Sequence, residues 1–212
     1  MPKRRTLVKL ALLRGLTVLV FPLIAIAKLE QLFSHGECWF SGIGEFLGLF
    51  PGRIGSYIRL AYYRATIEQC ASDVVFGIGT RVNHRTARIG RRVVFGAHCS
   101  IGTVTIGDNC LIGSRVHLLS GRRQHHFLDL GENINDHTPT FERVEIGVNA
   151  WIGDCAVVMA RIGARCVVAA GSVVFRPVPD QHVAMGNPAR FFSRKFSTPV
   201  PTESRISEEY AS

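Results

Sequence analysis

One motif governs the middle of this 212-residue chain: an aliphatic residue, often a glycine next, and a small or branched residue four places after the first. It runs as IGRRVV from Ile89, FGAHCS from Phe95, IGDNCL from Ile106, IGSRVH from Ile112, IGVNAW from Ile146, IGDCAV from Ile152, IGARCV from Ile162 and VAAGSV from Val168. Weaker copies begin at Ile101, Leu118 and Val174. A period near six is neither the alternation of a simple strand nor the 3.6-residue period of a helix. Such self-similarity decides architecture ahead of local propensity. Each unit reads as a short strand and a turn. Three units make one triangular coil, and stacked coils bury a continuous apolar column. The leading residues Ile89, Ile106, Ile112, Ile146, Ile152 and Ile162 point into that column, as do Val93, Cys110, Val116, Ala150, Ala156 and Cys166 four places on. Glycine in the second place, as at Gly153, supplies backbone freedom and close approach at the turn. The expected fold class is an all-β solenoid.

The interruptions matter as much as the period. The long step between Leu119 and Ile146 carries GRRQHHFLDLGENINDHTPTFERVE, a polar stretch with His125, His126 and His137. Solenoids throw insertions out as loops from one face, often the binding face, and a long aperiodic loop in a compact domain is usually functional or disordered.

The segment Val144 to Phe192, with its NAWIG, its AAGSVV and its closing GNPAR, resembles the hexapeptide-repeat acyltransferases, closest to the sugar O-acetyltransferases of the maltose, galactoside and nodulation-factor type. The resemblance runs from about Val74 to Arg190. It implies a left-handed parallel β-helix preceded by an N-terminal helical region, a homotrimer, and acetyl-CoA as co-substrate with no metal required. The chain then divides into an apolar, basic N-terminal helix (1–30), a helical accessory region (31–71), a β-helix domain (72–190) with an inserted loop (120–143), and a C-terminal tail (191–212) whose end, TESRISEEYAS, reads as disordered.

A formal charge of +9 suits an anionic ligand or surface. No nucleic-acid-binding motif accompanies it, and no nucleic-acid partner is expected. Of the six cysteines, Cys99, Cys110 and Cys166 fall on inward places, where a thiol acts as a small hydrophobe. No CxxC pair suggests zinc or redox chemistry, and reduced cysteines in a cytosolic protein are expected.

At the N-terminus, MPKRR precedes an apolar run from Leu7 to Ala27 that contains Lys9, Arg14 and Pro22. A cleaved signal, a spanning helix and packing against the protein's own trimer all compete with a helix lying at a membrane surface. The cations favour the last, with Lys3, Arg4, Arg5, Lys9 and Arg14 at phosphate level. The expected location is the cytoplasm, where acetyl-CoA is found, peripheral at the inner face of the cell membrane. Two further helices are expected, Phe40 to Phe50 and Ile54 to Gln69, separated by the Pro51-Gly52 turn. Tyr62, Tyr63 and Arg64 are either packing or substrate contacts.

Transfer of an acyl group to a hydroxyl needs a base for the hydroxyl proton and donors for the oxyanion. Histidine is the usual base. In the resembling enzymes it lies just ahead of the aromatic-IG unit, which here makes His125 the candidate and His126 the fallback. Glu132, Asp136 and Glu145 are candidate carboxylate partners. The resemblance further implies that backbone near Gly153, Ala170 and Gly171 holds the pantetheine arm, that Trp151 lies beside the thioester, and that Arg176 and Arg190 grip phosphate. The acceptor is expected to be a saccharide of a cell-envelope polysaccharide or lipid-linked precursor. Alternatives are N-acetylation of an amino sugar, serine acetylation, and a non-catalytic trimeric scaffold. A zinc site built from His84, His98 and His117, as in γ-type carbonic anhydrases, is the rival chemistry.

Overall fold

A computed structural model of the chain describes residues 2–34, 36–122 and 139–193. His125, His126, His137, Glu132, Asp136 and the tail from 202 lie outside the described residues.

The repeats wind into a three-faced solenoid of parallel strands two to four residues long. The first face stacks Gln69–Cys70, Arg88–Ile89, Val104–Ile106 and Val144–Ile146. The second runs through Val75–Phe76, Val94–Phe95, Leu111–Ile112, Trp151–Ile152, Val167–Val168 and His182–Met185. The third holds Arg81–Val82, Ser100–Ile101, His117–Leu118, Val157–Val158 and Val173–Val174. Register aligns the aliphatic residue of each rung with that of the next, as in Phe95↔Ile112↔Ile152↔Val168. The column that results is almost fully buried. A first coil, built on Cys70, Phe76 and Val82, precedes the earliest copy visible in the sequence.

The second-place glycines serve close stacking, not left-handed backbone. A Cβ on Gly113 would lie 2.7 Å from the backbone nitrogen of Asp154 on the next rung, and one on Gly153 would lie 2.5 Å from that of Ala170. The left-handed residue sits two places further on. It is Arg92, His98, Asn109, Arg115, Asn149, Cys155, Arg165 and Gln181, all with φ near +60°. Asn tolerates that region and arginine does so at a cost of about 1 kcal/mol. The corner therefore draws its freedom from a place the glycine pattern does not mark.

Three helices close the N-terminal end: α1 (Pro2–Phe33), α2 (Cys38–Gly48) and α3 (Gly52–Thr66). Pro22 lies inside α1 without ending it. Tyr62 and Tyr63 of α3 are fully buried, and the Tyr63 ring packs 5.0 Å from Phe76 of the first coil, which stacks on Phe95. The Tyr63 hydroxyl accepts from the Val82 N–H, and burial pushes its pKa up to about 12. These tyrosines are packing residues, not substrate contacts; Arg64 is exposed.

Both ends of α2 are held by side chains from its neighbours. Glu30 of α1 accepts the N–H groups of Trp39 and Phe40 at 2.7 and 2.9 Å, satisfying orphan donors and complementing the dipole. Arg59 of α3, fully buried, donates to the carbonyls of Leu47 (3.0 Å), Phe50 (2.8 Å) and, across to the solenoid, Phe76 (3.0 Å). Arg85, at the first coil's exit, pairs with Glu30 at 2.7 Å and lies 4.5 Å over the Phe40 ring. Burial raises the Glu30 carboxyl pKa, but the two backbone donors and Arg85 outweigh it and leave it below the ordinary range.

Candidate active site

The inserted loop leaves and rejoins the solenoid at the corner between the third and first faces. Its two ends are pinned together: the Glu142 N–H donates to the Ser120 carbonyl at 3.0 Å, and Arg122 donates to the Phe175 carbonyl at 3.1 Å. Beside them lies a hollow of about 300 Å³, lined among others by Gly121, Arg122, Glu142, Arg143, Arg161 and Phe175. Arg122, Arg143 and Arg161 meet Glu142 here, and Arg161 also pairs with Glu145 at 3.7 Å, so the corner carries a modest cationic excess. Arg143 is oriented by Glu68 at 3.0 Å and by the Thr105 hydroxyl at 3.3 Å. Glu68 also pairs with Arg88, and these two donors hold its carboxyl below its usual range. Arg122, Arg143 and Arg161 are functional candidates that sequence reasoning passed over. Their spacing follows no motif, since only the coil brings them to one corner.

A second feature lies at the opposite edge of the third face, where the chain turns from the second face to the third. In the middle of this corner the backbone N–H of two successive rungs finds a side-chain oxygen one rung on: Ala97 donates to Ser114 Oγ (3.2 Å) and Ser114 to Asp154 Oδ1 (2.7 Å). The ladder stops at Ala170, whose side chain offers no acceptor. Among the described residues neither the Asp154 nor the Ala170 N–H has a partner. The N–H groups of Gly153 and Gly171 are used within the solenoid, donating to Val168 (2.7 Å) and Asp154 (2.8 Å) carbonyls. Of the backbone expected to hold an amide-bearing ligand, Ala170 is therefore available as a donor, and Asp154 joins it.

Trp151 is half exposed on the second face and belongs to a ladder of outward apolar residues, Val75, Val94, Leu111, Trp151 and Val167 in register. The outward places of the first face carry Gln69, Arg88, Thr105 and Glu145 instead. Only one of these two faces thus suits burial against another protein surface. Arg176, exposed, lies 5.4 Å from the Phe175 ring beside the loop corner, and Arg190, also exposed, opens the last strand.

The three histidines of the rival zinc reading occupy separate places. His98 is the left-handed residue of its corner, and His117 lies on the third face. His84 Nδ1 bonds Glu37 Oε2 at 2.7 Å, its ring packed 4.3 Å from Phe141 at the loop's return. Among the described residues no three metal-ligating side chains gather. Burial pushes the thiols of Cys99, Cys110 and Cys166 up, and that of Cys70 to about 12, away from thiolate chemistry.

Against known proteins, the family model described as hexapeptide repeat of succinyl-transferase matches residues 86–114, 103–118 and 143–176. Serine acetyltransferase 4 of Arabidopsis thaliana is 36% identical over 119 residues, 55% of this chain and 29% of its own length. Galactoside O-acetyltransferase of Escherichia coli K12 is 41% identical over 91 residues, covering 42% of each chain. The chain thus spans less than half the length of these relatives. Among solved structures, a maltose O-acetyltransferase from Clostridium difficile superposes with a TM-score of 0.64 at 22% identity, over 73% of this chain and 83% of that one. A hexapeptide-repeat acetyltransferase from Vibrio cholerae gives 0.62 at 26% identity over 74% and 89%. The latter has also been solved with acetyl coenzyme A, at 24% identity, a TM-score of 0.52 and coverage of 82% and 86%. The shared architecture is the left-handed parallel β-helix.

Proposed function

We propose that this chain, similar to the hexapeptide-repeat acetyltransferases, is an acyltransferase of that family moving the acetyl group of acetyl-CoA to a sugar hydroxyl. The observation that carries the reading is the broken ladder at Ala170. Two backbone N–H groups without partners, on the edge of an apolar face, offer donors to the amides of a pantetheine arm. Arg176 and Arg190 are exposed cations that could take its phosphates.

The base is His125, with His126 as the fallback. It takes the hydroxyl proton as the acceptor oxygen forms a bond to the thioester carbonyl carbon. The carbonyl oxygen then carries the negative charge, which N–H donors stabilise. Collapse of the tetrahedral centre breaks the carbon–sulfur bond, and the protonated imidazole returns its proton to the leaving sulfur. No covalent enzyme intermediate is needed. The loop that bears the histidines is rooted at the cationic corner, whereas the free N–H groups lie across the third face. A second copy packed on the apolar second face would bring one subunit's loop to the other's edge, so we assign a homotrimer with sites at the seams.

The acceptor we propose is a saccharide of a cell-envelope polysaccharide or lipid-linked precursor. The likeness to serine acetyltransferases favours serine as a second reading. Thiol release from acetyl-CoA, followed against a glycan panel and against serine, decides between them, and alkali lability of the product separates ester from amide. The double variant His125→Ala/His126→Ala should lower kcat about 10²- to 10⁴-fold with unchanged melting. Full activity in that variant would overturn the assignment of the base, whereas absence of acyl transfer by the unaltered protein would leave the scaffold reading.

A further inference from the structure

The helical cap shows solvent a surface that a soluble fold does not need, and it is independent of the acyl-transfer reading. On α1, Val18, Pro22, Ile26, Leu29 and Phe33 fall on one stripe at helical spacing, with Val18, Leu19 and Phe33 exposed at 75%, 69% and 85%. On α2 and its C-cap, Trp39, Phe46 and Leu49 form a second exposed stripe, and the Phe46 ring meets Phe50 edge-on at 5.7 Å. The two stripes join at an apolar hollow of about 460 Å³ lined by Ile26, Leu29, Phe33, Cys38 and Trp39. Isolated exposed hydrophobics are ordinary, but a contiguous patch over two helices marks an interaction site.

Charge selects the occupant. The first acidic residue of the chain is Glu30, and it is buried against Arg85. Before it, α1 carries Lys3, Arg4, Arg5, Lys9, Arg14 and Lys28. A second copy laid on the same face would bring like charges together, whereas anionic headgroups answer the cations while their acyl chains cover the apolar stripes. The segment Gly15–Phe33 is long and apolar enough to cross a membrane, with mean hydropathy 1.8. Crossing would cost its protein-facing side, however: Val20, Ile24, Ala27 and Glu30 are buried within the cap.

We propose that α1 and α2 seat the protein on the surface of an anionic lipid bilayer, α1 lying in the interface and the cap turned toward the lipid. The test uses the full chain with vesicles of phosphatidylcholine alone or mixed with phosphatidylglycerol. The expected result is flotation with the mixed vesicles that weakens as salt rises. In a Trp151→Phe background Trp39 is the sole indole, and its emission should shift to the blue on those vesicles. Phe46→Ser/Leu49→Ser, at exposed sites, should weaken partition at least about tenfold, and Lys3→Gln/Arg4→Gln/Arg5→Gln about a hundredfold. Absence of flotation at low salt, or equal flotation with neutral vesicles, overturns the proposal. So does a Phe46→Ser/Leu49→Ser variant that floats unchanged but runs as a smaller oligomer, which would give the patch to a second copy.

Discussion

The helical cap and the solenoid solve the problem of burial in opposite ways. The solenoid spends one rule many times: an aliphatic side chain per rung, stacked in register on its like, with the polar side chains turned out. Rung-to-rung hydrogen bonds pair most of its backbone groups, so its interior is apolar apart from small hydroxyls such as Thr80, Ser120 and Ser172. The cap repeats nothing. It buries Glu30, Arg59 and Arg85 and exposes Trp39, Phe46 and Leu49. The charges inside are there because a helix ends in unpaired groups, and α2 has both its ends against protein. The contrast teaches that a solenoid's stability is distributed along its length, whereas the cap's rests on a few polar contacts that nothing duplicates.

The sharpest way to break that contrast is Arg59→Ala. It removes donors from the carbonyls of Leu47, Phe50 and Phe76 together and empties a large buried volume. A loss of about 3–5 kcal/mol is expected from denaturant unfolding, with the cap detaching before the solenoid. Next in size is Gly113→Ala in mid-solenoid. Its methyl group meets the backbone of the next rung, so about 1–3 kcal/mol should be lost. The distributed character predicts that hydrogen exchange then quickens mainly in adjacent coils. Smaller again is the response to acid. The folded Glu30 carboxyl sits below its ordinary pKa, so the stability it contributes is whole at neutral pH and is lost as pH falls through its folded value. Trp39 emission should therefore report loosening of the cap below about pH 4, before circular dichroism reports loss of the solenoid. The smallest effect belongs to Arg115→Gly. Relief of left-handed strain is offset by chain entropy, and melting should move by less than about 1 kcal/mol in either direction.

The solenoid was legible because its rule is written at short range. Ile89 and Val93, or Ile152 and Ala156, declare their direction within one rung. Apart from Cys70, the first coil falls within the expected domain (72–190), but it shows no copy of the repeat, because Cys70, Phe76 and Val82 replace the isoleucines. The role of the second-place glycine was half read. Close approach was correct, but the left-handed residue is Arg92 or Asn149, and side-chain type gives little sign of that. The cap's helices showed in composition, whereas their polar clasps did not: Arg85 and Glu30 are 55 residues apart, and no period links them. At the site, the loop announced itself as an interruption. Ala170 did not, because what matters there is an oxygen its side chain lacks.

At the C-terminal end, residues 190–193 fold back antiparallel on the strand 182–185, against the parallel sense of every other strand pairing in the solenoid. A third chain segment arriving in the common direction would find the last rail running backwards, while α3 already sits across the opposite mouth. The edge of the second-face sheet is thus closed by its own chain at one end, and the helices cover the solenoid at the other.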